Sequence, residues 1–105
     1  MDRDSVISAI RATAIKVIPP DGHLYLYGSR ARGDYRDDSD WDMLLLLNKE
    51  IDENADYKKF AYPIMQVGFD LNQYFSIQIY GIKEWQGLSF LPYYKNVEHD
   101  KIQII

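Results

Sequence analysis

Apolar residues recur along this chain in two periods, one typical of helices and one typical of strands. Residues 4–18 carry apolar side chains three or four positions apart, which predicts an amphipathic helix that ends at the Pro-Pro pair following it. Two short apolar runs come next, His23–Tyr27 and Trp41–Leu47, and both are predicted to be strands. Residues 30–39 are polar and contain a glycine, so they are expected to form a loop or a single helical turn.

The second half of the chain repeats this pattern. Residues 57–71 have helical spacing, and Pro63 among them predicts a kink or a restart. Residues 73–80 form a third predicted strand, and short helices and a final extended piece are expected in residues 83–87, 92–97 and 101–105. The resulting order is α-β-β-α-β-α. It predicts an α/β (α+β) fold, a small mixed β-sheet with helices packed against it.

Length and composition restrict the class of protein. A chain of 105 residues with 47% apolar residues predicts one globular domain spanning residues 1–105. No stretch approaches the ~18 apolar residues of a membrane span. Acidic residues near the N-terminus do not fit a secretory signal, so a cytoplasmic protein is expected. The absence of cysteine excludes disulfides and thiolate metal sites.

Charge placement is more informative than the net charge of −4. That net charge argues against direct DNA binding, because broad electrostatic capture needs a basic surface that displaces counterions. Three arginines nevertheless share one segment with five aspartates: Arg30, Arg32 and Arg36 with Asp34, Asp37, Asp38, Asp40 and Asp42. A solvated loop of mixed charge explains such a cluster unless its neighbours impose order on it.

Two of these aspartates stand at the head of the second predicted strand. Side chains alternate between the faces of a strand, so Asp40 and Asp42 are expected to point the same way, with Cα atoms about 6.5 to 7 Å apart. Trp41 then faces the other side and can pack. Mg²⁺ is usually held by one or two carboxylates together with substrate phosphates, which this spacing suits. A solvated strand end is the alternative explanation of the same pair.

A glycine turn follows the first predicted strand. Gly28 and Ser29 can offer backbone N–H groups and a hydroxyl to phosphate oxygens. Arg30 and Arg32 add cationic donors suited to the phosphates of a nucleotide, although either could pair with the nearby acids instead. A P-loop is excluded, because the residues after Gly33 are Asp-Tyr where that motif requires Lys and Ser or Thr.

These pieces together resemble the signature of the DNA polymerase beta-like nucleotidyltransferase superfamily. Residues 28–33 read GSRARG and residues 39–42 read SDWD, which is similar to the small, single-domain minimal nucleotidyltransferases of antitoxin type. The resemblance continues more weakly through residues 80–85 and 91–97, so it covers most of the chain. It implies a nucleotidyltransferase-like fold.

The resemblance also implies an activity and assigns residues to it. It implies a metal-dependent nucleotidyltransferase that moves a nucleoside monophosphate from a nucleoside triphosphate, with ATP the expected donor, to a hydroxyl of a protein or small molecule. Gly28 and Ser29 would hold the triphosphate. Asp40 and Asp42 would be the catalytic residues and would bind Mg²⁺ or Mn²⁺.

One departure supports an alternative function. Members of the superfamily commonly carry a third carboxylate on a neighbouring strand, but residues 73–80 contain no acid, and Asp70 is the nearest candidate. The alternative is an antitoxin-like binding module that neutralises a HEPN-type toxin partner with weak or no catalysis. Homo-oligomerisation is left open by the sequence.

Overall fold

The computed structural model describes residues 2–105, and its strands and helices follow the predicted order. A π-helical turn, Tyr57–Ala61, connects two of the helices. In chain order the elements are α1 (Arg3–Val17), β1 (His23–Tyr27), α2 (Ser29–Arg32), β2 (Trp41–Leu47), α3 (Glu53–Asp56), α4 (Tyr62–Asp70), β3 (Phe75–Gly81), α5 (Ile82–Gln86), α6 (Pro92–Asp100) and β4 (Ile102–Gln103).

The strands form one mixed sheet in the order β3-β2-β1-β4. β1 is antiparallel to β2 and to β4, whereas β2 and β3 run parallel. The helical segment from α3 to α4 provides the crossover that parallel neighbours require. The register sets Tyr27 and Ser76 on either side of Asp42, so these three side chains share one face of the sheet.

The main core lies on the opposite face, where α1 and α4 pack against the sheet. Trp41 and Met43 of β2 are fully buried there, together with Ile10 of α1 and Ile64 of α4. The Trp41 side chain therefore packs on the core face of β2, opposite to the face that carries Asp42, as its position between the two aspartates predicts. Asp2 caps α1, because its carboxylate accepts a hydrogen bond of 2.7 Å from the Ser5 N–H.

A smaller cluster covers the other face at the far end of β2. Leu44 and Leu46 are buried there against Trp85 of α5 and Val97 of α6. Trp85 is 2% exposed, whereas Phe90, in the connection between these helices, is 71% exposed. α5 and α6 therefore form a second, shorter hydrophobic layer that leaves the beginning of β2 open.

The third helical region differs from the predicted one in how it starts and how it passes Pro63. It begins at Glu53 rather than at residue 57, and Tyr57–Ala61 is wound as a π-helical turn. Pro63 lacks an N–H group and lies in the first turn of α4, where that loss is tolerated. The helix changes from π-helical to α-helical just before the proline, so the helical region restarts there and continues without an intervening loop.

The third strand also starts later than residue 73. Asn72 adopts a left-handed conformation with φ of 55°, which ends the helical region before β3 begins at Phe75. Gln73 still has a structural role, since its side-chain oxygen accepts a hydrogen bond of 2.9 Å from the Trp41 indole N–H. Across residues 2–105, none of the helices combines the length and apolar character that crossing a bilayer would demand.

Candidate functional site

The turn after β1 brings a glycine backbone against an acidic side chain. Gly28 has φ of 75° and ψ of −159°, a conformation that L-residues with a side chain rarely adopt. A Cβ atom built on Gly28 would lie 2.6 Å from Asp42 Oδ2. Glycine is therefore required here for two reasons, because the backbone needs it and because the carboxylate occupies the space beside it.

Asp40 and Asp42 bring two negative charges close together, and the charge of Arg32 compensates only part of their effect. Asp42 is half-buried and Asp40 is exposed, and within residues 2–105 neither carboxylate accepts a hydrogen bond or forms an ion pair. Burial raises the pKa of Asp42, the charge of Asp40 raises this pKa further, and Arg32 offsets part of the effect.

The two carboxylates are suitable ligands for a divalent cation. A cation between the two carboxylates would remove their repulsion and compensate the desolvated charge of Asp42. Within residues 2–105 no three acidic or histidine side chains gather closely enough to enclose a metal ion. The protein therefore offers two carboxylate ligands, which suits Mg²⁺ because that ion keeps several waters and completes its shell with phosphate oxygens.

The helical turn α2 leaves two N–H groups free at its start. The Gly28 carbonyl accepts hydrogen bonds from the N–H groups of Ala31 and Arg32, both at 3.0 Å. The N–H groups of Ser29 and Arg30 have no acceptor within residues 2–105. These donors begin directly after the glycine that contacts Asp42, so donors for an anion and ligands for a cation lie next to each other.

Arg30 differs from the other predicted nucleotide ligands because it is buried, with 4% of the residue exposed. Its guanidinium donates to the carbonyls of Asp37 and Ser39 at 3.1 to 3.2 Å. It also lies between the rings of Tyr35 and Trp41, 4.5 Å from each centroid. Arg30 therefore fixes the loop that leads to Asp40, and its geometry is that of a positioning residue rather than an exposed phosphate ligand.

Arg32 remains on the surface and is held by acids. It donates from Nε to Asp34 at 3.1 Å and from Nη1 to Asp100 at 2.7 Å. Asp100, at the end of α6, also lies 3.1 Å from Nδ1 of the exposed His99 ring. His99 and Arg32 together hold the pKa of Asp100 below its usual range. Arg32 thus joins α2 to α6 while its charge still reaches Asp42.

Two tyrosine hydroxyls border the carboxylates. Tyr27 stands opposite Asp42 in the antiparallel pair, and its hydroxyl lies 3.1 Å from that of Tyr93. Burial and the bond to Tyr93 raise the pKa of Tyr27, and the charge of Asp42 adds to this. The hydroxyl pair links β1 to α6 beside the candidate site.

The third carboxylate expected from the resemblance has no counterpart on β3. Ser76 is the residue beside Asp42 in the parallel register, and Gln78 follows it on the same face. Asp70 is the last residue of α4, where it is exposed and accepts a hydrogen bond of 3.0 Å from Gln66. Because α4 packs on the opposite face of the sheet, Asp70 lies apart from Asp42.

A comparison with protein-family models decides the family. Residues 22–86 match the model described as polymerase beta, nucleotidyltransferase. The chain belongs to the polymerase beta nucleotidyltransferase family. The matched region contains the glycine turn, both candidate metal ligands and the crossover to β3. No curated protein matches this chain significantly.

Solved structures share the fold of this polymerase beta family member. One is a putative nucleotidyltransferase from Sulfolobus solfataricus, with 21% identity, a TM-score of 0.59, and coverage of 96% of this chain and 80% of that one. Another is the complex of tri-AMPylated Shewanella oneidensis HEPN toxin with MNT antitoxin, with 14% identity, a TM-score of 0.60, and coverage of 99% and 72%. A toxin–antitoxin structure with AMP-PNP has 17% identity, a TM-score of 0.57, and coverage of 100% and 73%.

Identities this low establish the nucleotidyltransferase fold and nothing finer. Within that fold, the residues near the site that the sequence did not indicate are Tyr93, Asp100 and Ser76. Tyr93 and Asp100 reach the site only because α6 packs beside β1. Ser76 lies within the predicted third strand, but only the parallel pairing of β2 with β3 in the folded sheet sets it beside Asp42.

Proposed function

We propose that this nucleotidyltransferase-fold protein transfers a nucleoside monophosphate from a nucleoside triphosphate, with ATP as the donor, to a hydroxyl group of a protein. Asp40 and Asp42 bind Mg²⁺ or Mn²⁺, and Gly28, Ser29 and Arg32 bind the triphosphate. The observation that carries the proposal is the contact between Gly28 and Asp42, which places free N–H donors next to carboxylates without a protein partner.

In the proposed reaction, the acceptor oxygen forms a bond to the α-phosphorus while the bond from that phosphorus to the leaving pyrophosphate breaks. The acceptor hydroxyl releases its proton to solvent water as this bond forms. Bound divalent cations would supply charge stabilisation to both oxygens of such a displacement. The protein's own contribution is orientation, since the Gly28 turn fixes the phosphates, Arg32 adds a cationic donor and Arg30 holds the loop that carries Asp40.

The first test separates nucleotide binding from transfer. Wild-type protein, Asp42→Asn and the control Asp38→Asn are titrated with ATP and Mg²⁺ in a thermal-shift experiment. Asp38 is a suitable control because it is 80% exposed and pairs only loosely with Arg36, at 3.7 Å. A ligand at ~100 times its dissociation constant stabilises by about 2.7 kcal/mol, which wild type and Asp38→Asn should show. Equal stabilisation of Asp42→Asn would contradict the assigned metal site.

The second test measures transfer directly. Protein, Mg²⁺ and ATP labelled at the α-phosphate are incubated with candidate acceptor proteins, which should acquire label with wild type and Asp38→Asn but not with Asp42→Asn. Parallel reactions with label only at the γ-phosphate should transfer nothing, because pyrophosphate leaves. Label transferred from the γ-position instead would show a kinase reaction and reject nucleotidyl transfer.

A second candidate function is binding without chemistry. The observation that favours it is the lack of a carboxylate on β3, where Ser76 stands beside Asp42. In this version the protein neutralises a small helical HEPN-type toxin by contact alone. Two of the similar solved structures contain toxin–antitoxin pairs, which supports a partner of this kind.

Coexpression distinguishes the two functions. A HEPN-type protein encoded beside this chain is expressed alone, with wild type and with Asp42→Asn, and growth is followed. Rescue by wild type only supports modification of the partner, whereas equal rescue by both supports neutralisation by binding. The absence of any growth effect on coexpression rejects the pairing with that protein and leaves the labelling experiment to decide the enzymatic proposal.

A further inference from the structure

Arg3 is the first residue of α1, yet its side chain bonds to the turn that carries the candidate phosphate donors. Its Nη1 atom donates to the Arg30 carbonyl at 2.9 Å and to the Ala31 carbonyl at 3.2 Å. Within residues 2–105 no backbone N–H donates to either carbonyl, and Arg3 forms no ion pair with an acid. The positive charge of Arg3 is therefore directed at two backbone carbonyls of α2.

The position of Arg3 is unfavourable for its own helix. A cation in the first turn of a helix is repelled by the partial positive charge of that helix end, whereas a cation beside the last carbonyls of a helix is attracted to them. Arg3 lies in the first turn of α1 and beside the last carbonyls of α2. The contact with α2 is thus the interaction that compensates for a cation at the start of α1.

Two peptide groups connect this contact to Gly28. The Arg30 carbonyl shares a peptide group with the Ala31 N–H, and the Ala31 carbonyl shares one with the Arg32 N–H. Both N–H groups donate to the Gly28 carbonyl at 3.0 Å. Hydrogen bonds in such a series polarise one another, so a cation at one end strengthens the bonds that follow it. Arg3 therefore acts through the backbone on the glycine of the candidate site.

The Gly28 carbonyl in turn fixes the direction of a free donor. This carbonyl and the Ser29 N–H belong to one planar trans peptide group, so they point in opposite directions. Two hydrogen bonds from α2 hold the carbonyl, and the Ser29 N–H has no acceptor within residues 2–105. A rotation of α2 would consequently turn the Ser29 N–H away from the position beside Asp42, where the phosphate is expected.

We propose that Arg3 is a positioning residue for nucleotide binding, which holds the Gly28 turn in the orientation that presents the Ser29 N–H to the triphosphate. This role rests on the proposed function, because it takes the Gly28 turn as the phosphate site. Arg3 bonds to the carbonyl end of α2, opposite to the end that carries the free N–H groups. Its loss should therefore weaken nucleotide binding while every proposed phosphate and metal ligand is still present.

A second arginine of α1 provides a matched control. Arg11 donates from Nε to the Ile104 carbonyl at 3.0 Å, so it also ties α1 to the backbone of another segment, one that follows β4 and not β1. Arg3→Met and Arg11→Met each remove a charge and its bonding to backbone carbonyls, and Arg3→Lys retains the charge. Circular dichroism and chemical denaturation establish folding and stability. Affinity for ATP with Mg²⁺ is measured by calorimetric titration below the unfolding transition of the least stable variant.

The expected result separates affinity from stability. Arg3→Met should bind ATP about tenfold more weakly than wild type, as expected for the loss of hydrogen bonds from a charged group. Arg3→Lys should lie between the two, and Arg11→Met should bind ATP like wild type even though it is also destabilised. Without nucleotide, the amide hydrogens of Ala31 and Arg32 should exchange faster in Arg3→Met than in Arg11→Met, as measured by NMR.

Three outcomes would contradict this role. Equal ATP affinities of folded Arg3→Met and Arg11→Met overturn it and leave the proposed function intact. If Arg3→Met does not fold, Arg3→Lys decides, and an affinity equal to that of wild type overturns the role. Wild type that binds no ATP overturns the proposed function and the role of Arg3 together, so the two failures are distinguishable.

Discussion

Gly28 and Gly33 both have positive φ, yet only Gly28 lies against a charged side chain. A Cβ on Gly28 would meet Asp42 Oδ2 at 2.6 Å, whereas a Cβ on Gly33 would have nothing within 4 Å. We expect Gly28→Ala to destabilise the fold by about 1–3 kcal/mol through backbone strain and also to abolish stabilisation by ATP and Mg²⁺, because the carboxylate must move. Thermal unfolding with and without ligand measures both effects.

Gly33→Ala is the matched control for backbone strain. Its cost should be about 1–2 kcal/mol, from the left-handed conformation alone. The increase in unfolding temperature on adding ATP and Mg²⁺ should remain close to that of wild type. If Gly33→Ala removed the response to ligand as completely as Gly28→Ala, the contact with Asp42 would not be the relevant feature of Gly28.

The raised pKa of Asp42 predicts that this residue destabilises the metal-free protein. A carboxyl whose pKa is higher in the folded state than in the unfolded state is relatively favourable when protonated, so its contribution becomes unfavourable as the pH rises through that pKa. Asp42→Asn should therefore raise the unfolding temperature at neutral pH in the presence of a chelator, and the gain should shrink towards acidic pH. Calorimetry over a pH series measures it.

Divalent cations should reverse the order of stability of wild type and Asp42→Asn at neutral pH. With Mg²⁺ and ATP, wild type gains binding free energy that Asp42→Asn lacks, so wild type should become the more stable of the two. The cation binds the ionised carboxylate, and its stabilising effect should consequently decline as the pH falls through the raised pKa of Asp42. A metal-free Asp42→Asn protein that is less stable than wild type would contradict the assigned electrostatics.

At the scale of elements, Arg30 ties the loop between α2 and β2 to the sheet. It donates to two loop carbonyls and stacks between Tyr35 and Trp41. Lysine cannot reproduce the planar contact or the forked hydrogen bonds, so Arg30→Lys should destabilise by about 2–4 kcal/mol. Chemical denaturation measures the change, and Arg36→Lys is the control, because the side chain of Arg36 is 86% exposed and its replacement should alter the midpoint little. Equal losses in both variants would refute the positioning role of Arg30.

The elements also show what the sequence could and could not predict. The sequence predicts Trp41–Leu47 with its observed bounds, because a nearly continuous apolar run fits a strand covered on both faces. The sequence does not predict the π-helical turn, because the apolar residues keep the same helical spacing on either side of it. The sequence does not predict the burial of Arg30 for a different reason, because its stacking partners, Tyr35 and Trp41, come together only in the folded loop.

At the scale of the whole molecule, the two faces of the sheet have unequal cores. The face under α1 and α4 belongs to the larger cluster of buried residues, whereas the face under α5 and α6 is closed by four. Trp85 is central to the smaller layer, because it contacts the rings of Tyr80, Tyr93 and Tyr94 and its indole N–H donates to Glu98 at 3.1 Å. The Tyr27–Tyr93 contact beside the candidate site depends on that layer.

This asymmetry predicts that the α5–α6 layer opens independently of the main core. Trp85→Ala removes a buried aromatic residue at a cost of about 3–5 kcal/mol, and the loss should appear mainly as faster amide hydrogen exchange in α5 and α6, with α1 and β2 still protected. Ile10→Ala, which truncates a fully buried residue of the main core, should instead increase exchange throughout the chain. Hydrogen exchange is measured by mass spectrometry under conditions in which the two variants have equal free energies of unfolding, and it distinguishes the two patterns. Uniform loss of protection in both variants would mean that the two layers unfold as one unit. The contacts between α6 and the candidate site could not then form or break separately from the main core.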